Sequence, residues 1–253
     1  MQEVTAALAD EHGALAEMLG GVDADGWAAP SRCPGWSVSD VVLHLAQTDE
    51  MAMASLDGTF DAVLARFAEG LGPAANVDAG AGAAVERERG ASGPEVFTRW
   101  QVGALALRSA FAAIDLDTRV PWVAGDLTAR TLATTRLSEA WIHAGDVAAG
   151  LGVVVTPTDR LWHIARLAWR TLPYAFARAG RPPPGAVRFV LTAPSGDGWT
   201  FESDDAAGEV TTVTGDAVDL CTVAGQRAAA SETGLRAEGP DADAVLALVR
   251  TFA

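Results

Sequence analysis

Four histidines occur among the 253 residues, His12, His44, His143 and His163. His143 has a carboxylate one helical turn before it. Glu139 and His143 stand four positions apart in TTRLSEAWIHAGDVAAG, so on a helix both project from one face, about 5–6 Å apart at Cβ. That separation suits two ligands of a single divalent cation. His44, in VVLHLAQTDE, sits on an apolar helical stripe and could supply a third ligand from a facing helix, as helical bundles do when they build metal sites. Two imidazoles and a carboxylate leave zinc one open position, the coordination of a catalytic rather than a structural site. Asp146, three residues beyond His143, is placed to orient an imidazole. The plain alternative is that each histidine is a hydrogen-bonded core residue and the ExxxH spacing is chance. Spacing alone leaves both open. His12 and His163 read, by default, as surface or core residues.

The elements that must position these groups are mostly helical. Apolar residues recur at helical intervals over residues 3–20 through Val4, Leu8, Leu15 and Leu19. Ser37, with Asp40 three residues on, marks the start of a helix over residues 38–56 that carries His44. A short helix follows over 60–69. Residues 71–93, rich in Gly, Ala and Pro, read as a loop, with a helical turn over 85–89 as the alternative. Pro94 suits the first turn of a helix to about 114. Thr128 or Thr131 begins the helix that holds Glu139 and His143, and Gly150 and Gly152 end it. Thr158 is expected to cap a further helix through Leu161, Ile164 and Leu172.

The RPPPG run at 181–185 is the clearest linker, and the composition changes after it. VRFVLTA, WTFES and EVTTVTG read as short strands with turns between them, and residues 216–227 and 241–252 read as helices. The expected architecture is α plus α+β: a helical bundle over 1–180 and a small α+β domain over 186–253.

Composition narrows the chemistry. With 18 Lys+Arg against 33 Asp+Glu, the formal net charge is −15, and every basic residue is Arg. The lack of lysine excludes a P-loop lysine and a Schiff-base lysine. The acidic balance argues against nucleic acid and anionic membranes as partners, because phosphate binding needs clustered positive charge. No apolar run approaches the ~20 residues that span a bilayer, and the acidic, amphipathic N-terminus lacks the marks of a signal peptide. A cytoplasmic protein is expected. Cys33 and Cys221 are too far apart in sequence for a CxxC pair and read as ordinary half-buried thiols.

Two stretches, PGWSVSDVVLHLAQTDE and TTRLSEAWIHAGDVAAGLG, together resemble the mycothiol-dependent maleylpyruvate isomerase family of DinB-like metalloenzymes. The residues after 186 resemble the small, sterol-carrier-like α+β domain that follows the bundle in that family. The resemblance spans nearly the whole chain and is closest to the family's metal-binding branch without assigned activity. It implies a four-helix DinB-like bundle with His44, Glu139 and His143 as metal ligands, zinc as the usual ion and mycothiol as a cosubstrate.

The implied activity is cis–trans isomerisation of a small electrophilic substrate, or transfer of the thiol to it. Developing negative charge on such a substrate needs a cation, and without lysine that falls to the metal or to arginine. Arg136, one turn before Glu139, and Arg227, in GQRAAAS of the C-terminal domain, are the candidates. Arg87 and Arg89 lie in the 71–93 connector, either over the substrate or as a solvated charge run. Two other readings stand beside this one: a metalloenzyme that needs no thiol, and a non-catalytic carrier of a hydrophobic small molecule. Monomer or homodimer is expected.

Overall fold

The computed structural model describes residues 3–69, 76–203 and 208–251. Its backbone contacts divide the chain into two compact units, one to Val155 and one from Thr156. Residues 156–180, grouped by sequence with the bundle, therefore belong with the second unit. The change of composition at RPPPG marks where strands begin, and the boundary of the packed unit lies about 25 residues earlier, counting from residue 181 back to Thr156.

The first unit contains α1 (Val4–Leu19), α2 (Ala24–Ala28), α3 (Val38–Asp57), α4 (Phe60–Ala68), α5 (Val77–Glu88) and α6 (Gly93–Ala113), then the strand pair β1 (Arg119–Val120) and β2 (Leu127–Thr128), and α7 (Ala129–Leu151). Four long helices form the bundle: α3 packs on α6 and α7, and α1 packs on α7 and α6. Ser37 and Asp40 close a reciprocal capping box at the start of α3, which satisfies backbone donors that a helix N-terminus otherwise leaves open. Thr128 caps α7 by accepting from the Thr131 backbone N–H, and Gly152 ends it in the left-handed region at φ 66°, which costs a glycine little. Val41, Val42, Leu45, Trp100, Val96, Ala144 and Val147 share one apolar core.

The loop expected over 71–93 is in large part the helix α5; residues 71–75 lie outside the described residues. Its Gly- and Ala-rich sequence hides it, because tertiary contacts rather than an apolar stripe hold it. Asn76 caps its N-terminus, Val85 is fully buried, and the Gln47 amide donates to the Ala84 carbonyl at 3.0 Å. Arg87 donates to the carbonyls of Arg66, Phe67 and Glu69 at the end of α4.

The second unit contains α8 (Leu161–Arg170), α9 (Leu172–Arg178), β3 (Ala186–Thr192), β4 (Gly198–Phe201), β5 (Val210–Asp216), α10 (Ala217–Ala224), β6 (Arg236–Glu238) and α11 (Ala242–Leu248). The strand order is β4-β3-β5-β6, with β3 antiparallel to β4 and parallel to β5. Val187, Phe189 and Leu191 alternate inward along β3, the period of a half-buried strand. Thr158 does not cap α8; Arg160 occupies that position, and the Thr158 carbonyl instead accepts from the Leu161 N–H. Cys221 is fully buried, and burial pushes its thiol up from the ordinary range, so it packs as an inert apolar side chain. Among the described residues, no helix is long and apolar enough to cross a membrane.

Candidate metal centre

α3 and α7 pack side by side, and the sequence puts His44 on the first and Glu139 and His143 on the second. Their donor atoms converge. His44 Nε2 lies 3.4 Å from Glu139 Oε2, and His143 Nε2 lies 3.7 Å from the same oxygen. The two imidazoles meet edge to face with centroids 4.8 Å apart. All three ligand atoms fall within 4.8 Å of one another. A tetrahedral zinc with bonds of 2.0–2.1 Å holds its ligand atoms about 3.3 Å apart, so the cluster is nearly at coordination spacing and two nitrogens and one oxygen form a borderline donor set that suits the ion. The three groups also meet one another directly, through the His44–Glu139 hydrogen bond and the ion pairs of Glu139 with His143 and Arg136.

The ionised state of Glu139 favours ligation, and burial keeps His44 from carrying a second proton. Burial lowers the His44 pKa, with the charges of His143 and Arg136 pushing the same way and Glu139 opposing. Burial alone would raise the Glu139 pKa, but the His44 hydrogen bond and the nearby His143 and Arg136 charges outweigh it and hold the carboxyl well below its ordinary range. An ionised carboxylate and a neutral imidazole are the forms that bind a cation, and the Nε2 proton with which His44 meets Glu139 is one that a cation would displace.

Behind the three donors stand two buried carboxylates. Asp146 Oδ2 accepts from His143 Nδ1 at 2.9 Å. A carboxylate accepts and does not donate, so Nδ1 carries the proton and Nε2 presents its lone pair towards Glu139 and His44. The orienting role expected for Asp146 thus falls on His143. Asp49 takes the other flank: Arg136 Nε donates to Asp49 Oδ1 at 2.9 Å and Arg136 Nη2 to Thr48 Oγ1 at 2.9 Å, while Nη1 lies 3.9 Å from Glu139 Oε2. Arg136 is 1% exposed. Its guanidinium is directed at protein groups, which places it behind Glu139 rather than on a substrate-facing wall. Arg227 lies in the other unit, after α10, where Nη1 donates to the Gly225 carbonyl at 3.0 Å.

Sequence reasoning missed Cys33, Thr48 and Asp49. Cys33 Sγ donates to Asp146 Oδ2 at 3.1 Å, across 113 positions of sequence with no spacing rule to signal it. Asp49 lies five residues after His44, on a helix face that the apolar stripe does not mark. Trp36, two residues before α3, places its ring 5.3 Å from that of His44. Arg89 is exposed, as a solvated charge run would have it, and is also tied down: it pairs with Asp40 at 3.0 Å and donates to the Gly35 carbonyl at 3.3 Å.

Comparisons with known proteins give the fold and the family. The chain is 36% identical over 241 residues to uncharacterized proteins from two strains of Mycobacterium tuberculosis, covering 94% of this chain and 91% of each relative. Its fold is similar to the crystal structure of a mycothiol-dependent maleylpyruvate isomerase, with a TM-score of 0.60 and 16% identity over 96% of this chain and 99% of that one. A histidine-to-alanine variant of such an isomerase gives a TM-score of 0.59 at the same identity and coverage. Residues 8–148, more than half of the sequence, match the family described as mycothiol maleylpyruvate isomerase N-terminal domain, and on that match the chain belongs to the mycothiol maleylpyruvate isomerase family.

Proposed function

We propose that this chain is a metal-dependent enzyme, with zinc held by His44, Glu139 and His143, that uses a low-molecular-weight thiol of the mycothiol type on a small electrophilic substrate. The observation that carries the reading is the convergence of two imidazole nitrogens and one carboxylate oxygen at near-coordination spacing between α3 and α7. Membership of the isomerase family supports the thiol.

Zinc bound there would supply a positive charge that lowers the pKa of a neighbouring thiol and favours thiolate at neutral pH. The reaction that suits a thiolate is addition to an activated cis double bond, rotation about the resulting single bond, and expulsion of the same thiolate from the trans isomer. If the carbanion left by addition instead takes up a proton from solvent, in place of the one the thiol gave up, the adduct is kept as a thioether and the outcome is S-transfer. The chain's own residues set the stage for either. Asp146 holds the His143 proton on Nδ1, Arg136 and Asp49 fix the Glu139 carboxylate from behind, and Trp36 forms a wall beside His44. Arg136 acts through Glu139, as a positioning residue.

The test is turnover of cis-enoyl dicarboxylate candidates by metal-loaded protein with and without mycothiol. The reading predicts turnover that requires both the thiol and the metal and that disappears in His44→Ala. Turnover at an unchanged rate with no thiol present would contradict it and would favour a metalloenzyme of another kind.

A further inference from the structure

The segment from Pro30 to Ser37 is a closed loop rather than a loose connector. Pro30 and Ser37 form an isolated antiparallel bridge. Ser31 Oγ donates to the Trp36 carbonyl at 2.8 Å and accepts from the Cys33 N–H at 3.1 Å. The loop is fastened to α7 at one point of backbone, Arg32 N–H to the Asp146 carbonyl at 3.2 Å. Gly150 lets it approach, since a Cβ there would lie 2.8 Å from the Pro30 carbonyl oxygen. The result is that the Cys33 thiol arrives at the back of the ligand cluster. Cys33 Sγ is 3.1 Å from Asp146 Oδ2 and 3.9 Å from His143 Nδ1.

We propose that Cys33 is a positioning residue for the metal centre: its S–H donates to the Asp146 oxygen that also accepts the hydrogen bond from His143 Nδ1–H, and so fixes the carboxylate that fixes the ligand ring. The inference rests on the metal reading of the site. Asp146 Oδ2 receives two donors from two elements, one from α7 itself and one from the loop, and this pins the carboxylate against rotation. Partners of this kind behind a metal-binding histidine typically change metal affinity by 10–100-fold when removed.

The experiment is a Zn²⁺ and Co²⁺ titration of the full chain against a chelator, with the Co²⁺ absorption spectrum recorded, in wild type, Cys33→Ala, Cys33→Ser and His44→Ala. Thermal unfolding of each metal-free variant accompanies it. The proposal predicts one ion per chain, an affinity lowered about tenfold in Cys33→Ala, and recovery to within about threefold of wild type in Cys33→Ser, whose hydroxyl restores the donor. The metal-free unfolding midpoints should be nearly equal. Wild-type affinity in Cys33→Ala, with binding lost in His44→Ala, would overturn the proposal and leave the metal centre standing. Equal weakening in Ala and Ser together with lower metal-free midpoints would also overturn it, as packing alone. A second ion per chain, with a near-ultraviolet sulfur-to-cobalt band that Cys33→Ala removes, would make Cys33 a ligand and overturn it in another way. Failure of wild type to bind either ion would remove the metal reading and this inference together.

Discussion

His12 and His143 are both imidazoles on bundle helices, 1% and 7% exposed, yet their surroundings differ. His143 has a carboxylate on Nδ1 and faces two further donors with Nε2. His12 stands edge-on to Trp100 at 5.6 Å, and its Nδ1 finds no hydrogen-bond partner among the described residues. Burial lowers the His12 pKa to about 4, with Arg136 and Arg108 adding to the effect and Asp49 opposing it. Burial makes an imidazole neutral. A ligand needs more: a fixed proton on one nitrogen and convergent donors around the other. Asp49 is the link between the two regions, since its charge acts on His12 and its oxygen holds Arg136 against Glu139.

Breaking that link should have the largest effect on stability. Asp49→Ala leaves the Arg136 charge buried without its closest partner, and such a loss costs about 3–5 kcal/mol; urea unfolding at pH 7 measures it. Next comes the pH dependence of His12. Its folded pKa lies below the unfolded value of 6.5, so its contribution is complete above pH 6.5 and is lost as pH falls towards about 4. The size is about 3 kcal/mol over that window. In His12→Phe, unfolding free energies measured from pH 7 to 4 should decline less steeply by that amount, and an unchanged slope would contradict the account of His12.

Two smaller effects sharpen the picture of how His143 and His44 are supported. Gly150→Ala forces the 30–37 loop away from α7 and should cost about 1–3 kcal/mol, read by thermal unfolding. Ser37→Ala removes one half of the capping box at the start of α3 and should cost about 1 kcal/mol by the same measurement.

Much of the bundle is legible in the sequence, because its signals are local. The Ser37–Asp40 box, Pro94 and Thr128 mark helix starts that the structure repeats, and the i, i+4 pair and the His44 stripe put three donors on two helices. What brings the donors to one point, the packing of α3 on α7, has no local signature; the family resemblance supplied it. The supporting groups were not legible for the same reason. Cys33 meets Asp146 only because a loop closes on α7, and Asp49 meets Arg136 across 87 positions. The α5 helix was hidden by its glycines, and the strand β6, three residues of Arg, Ala and Glu, has no alternation long enough to read. The grouping of α8 and α9 with the second unit depends on packing that no linker composition announces.

The most direct test of the central claim is the metal content of the purified chain, measured by elemental analysis and chelator competition in wild type, His12→Phe and His143→Ala. The account predicts one equivalent of zinc in wild type and in His12→Phe, and affinity reduced more than about a hundredfold in His143→Ala. Equal zinc affinity in all three proteins would contradict it.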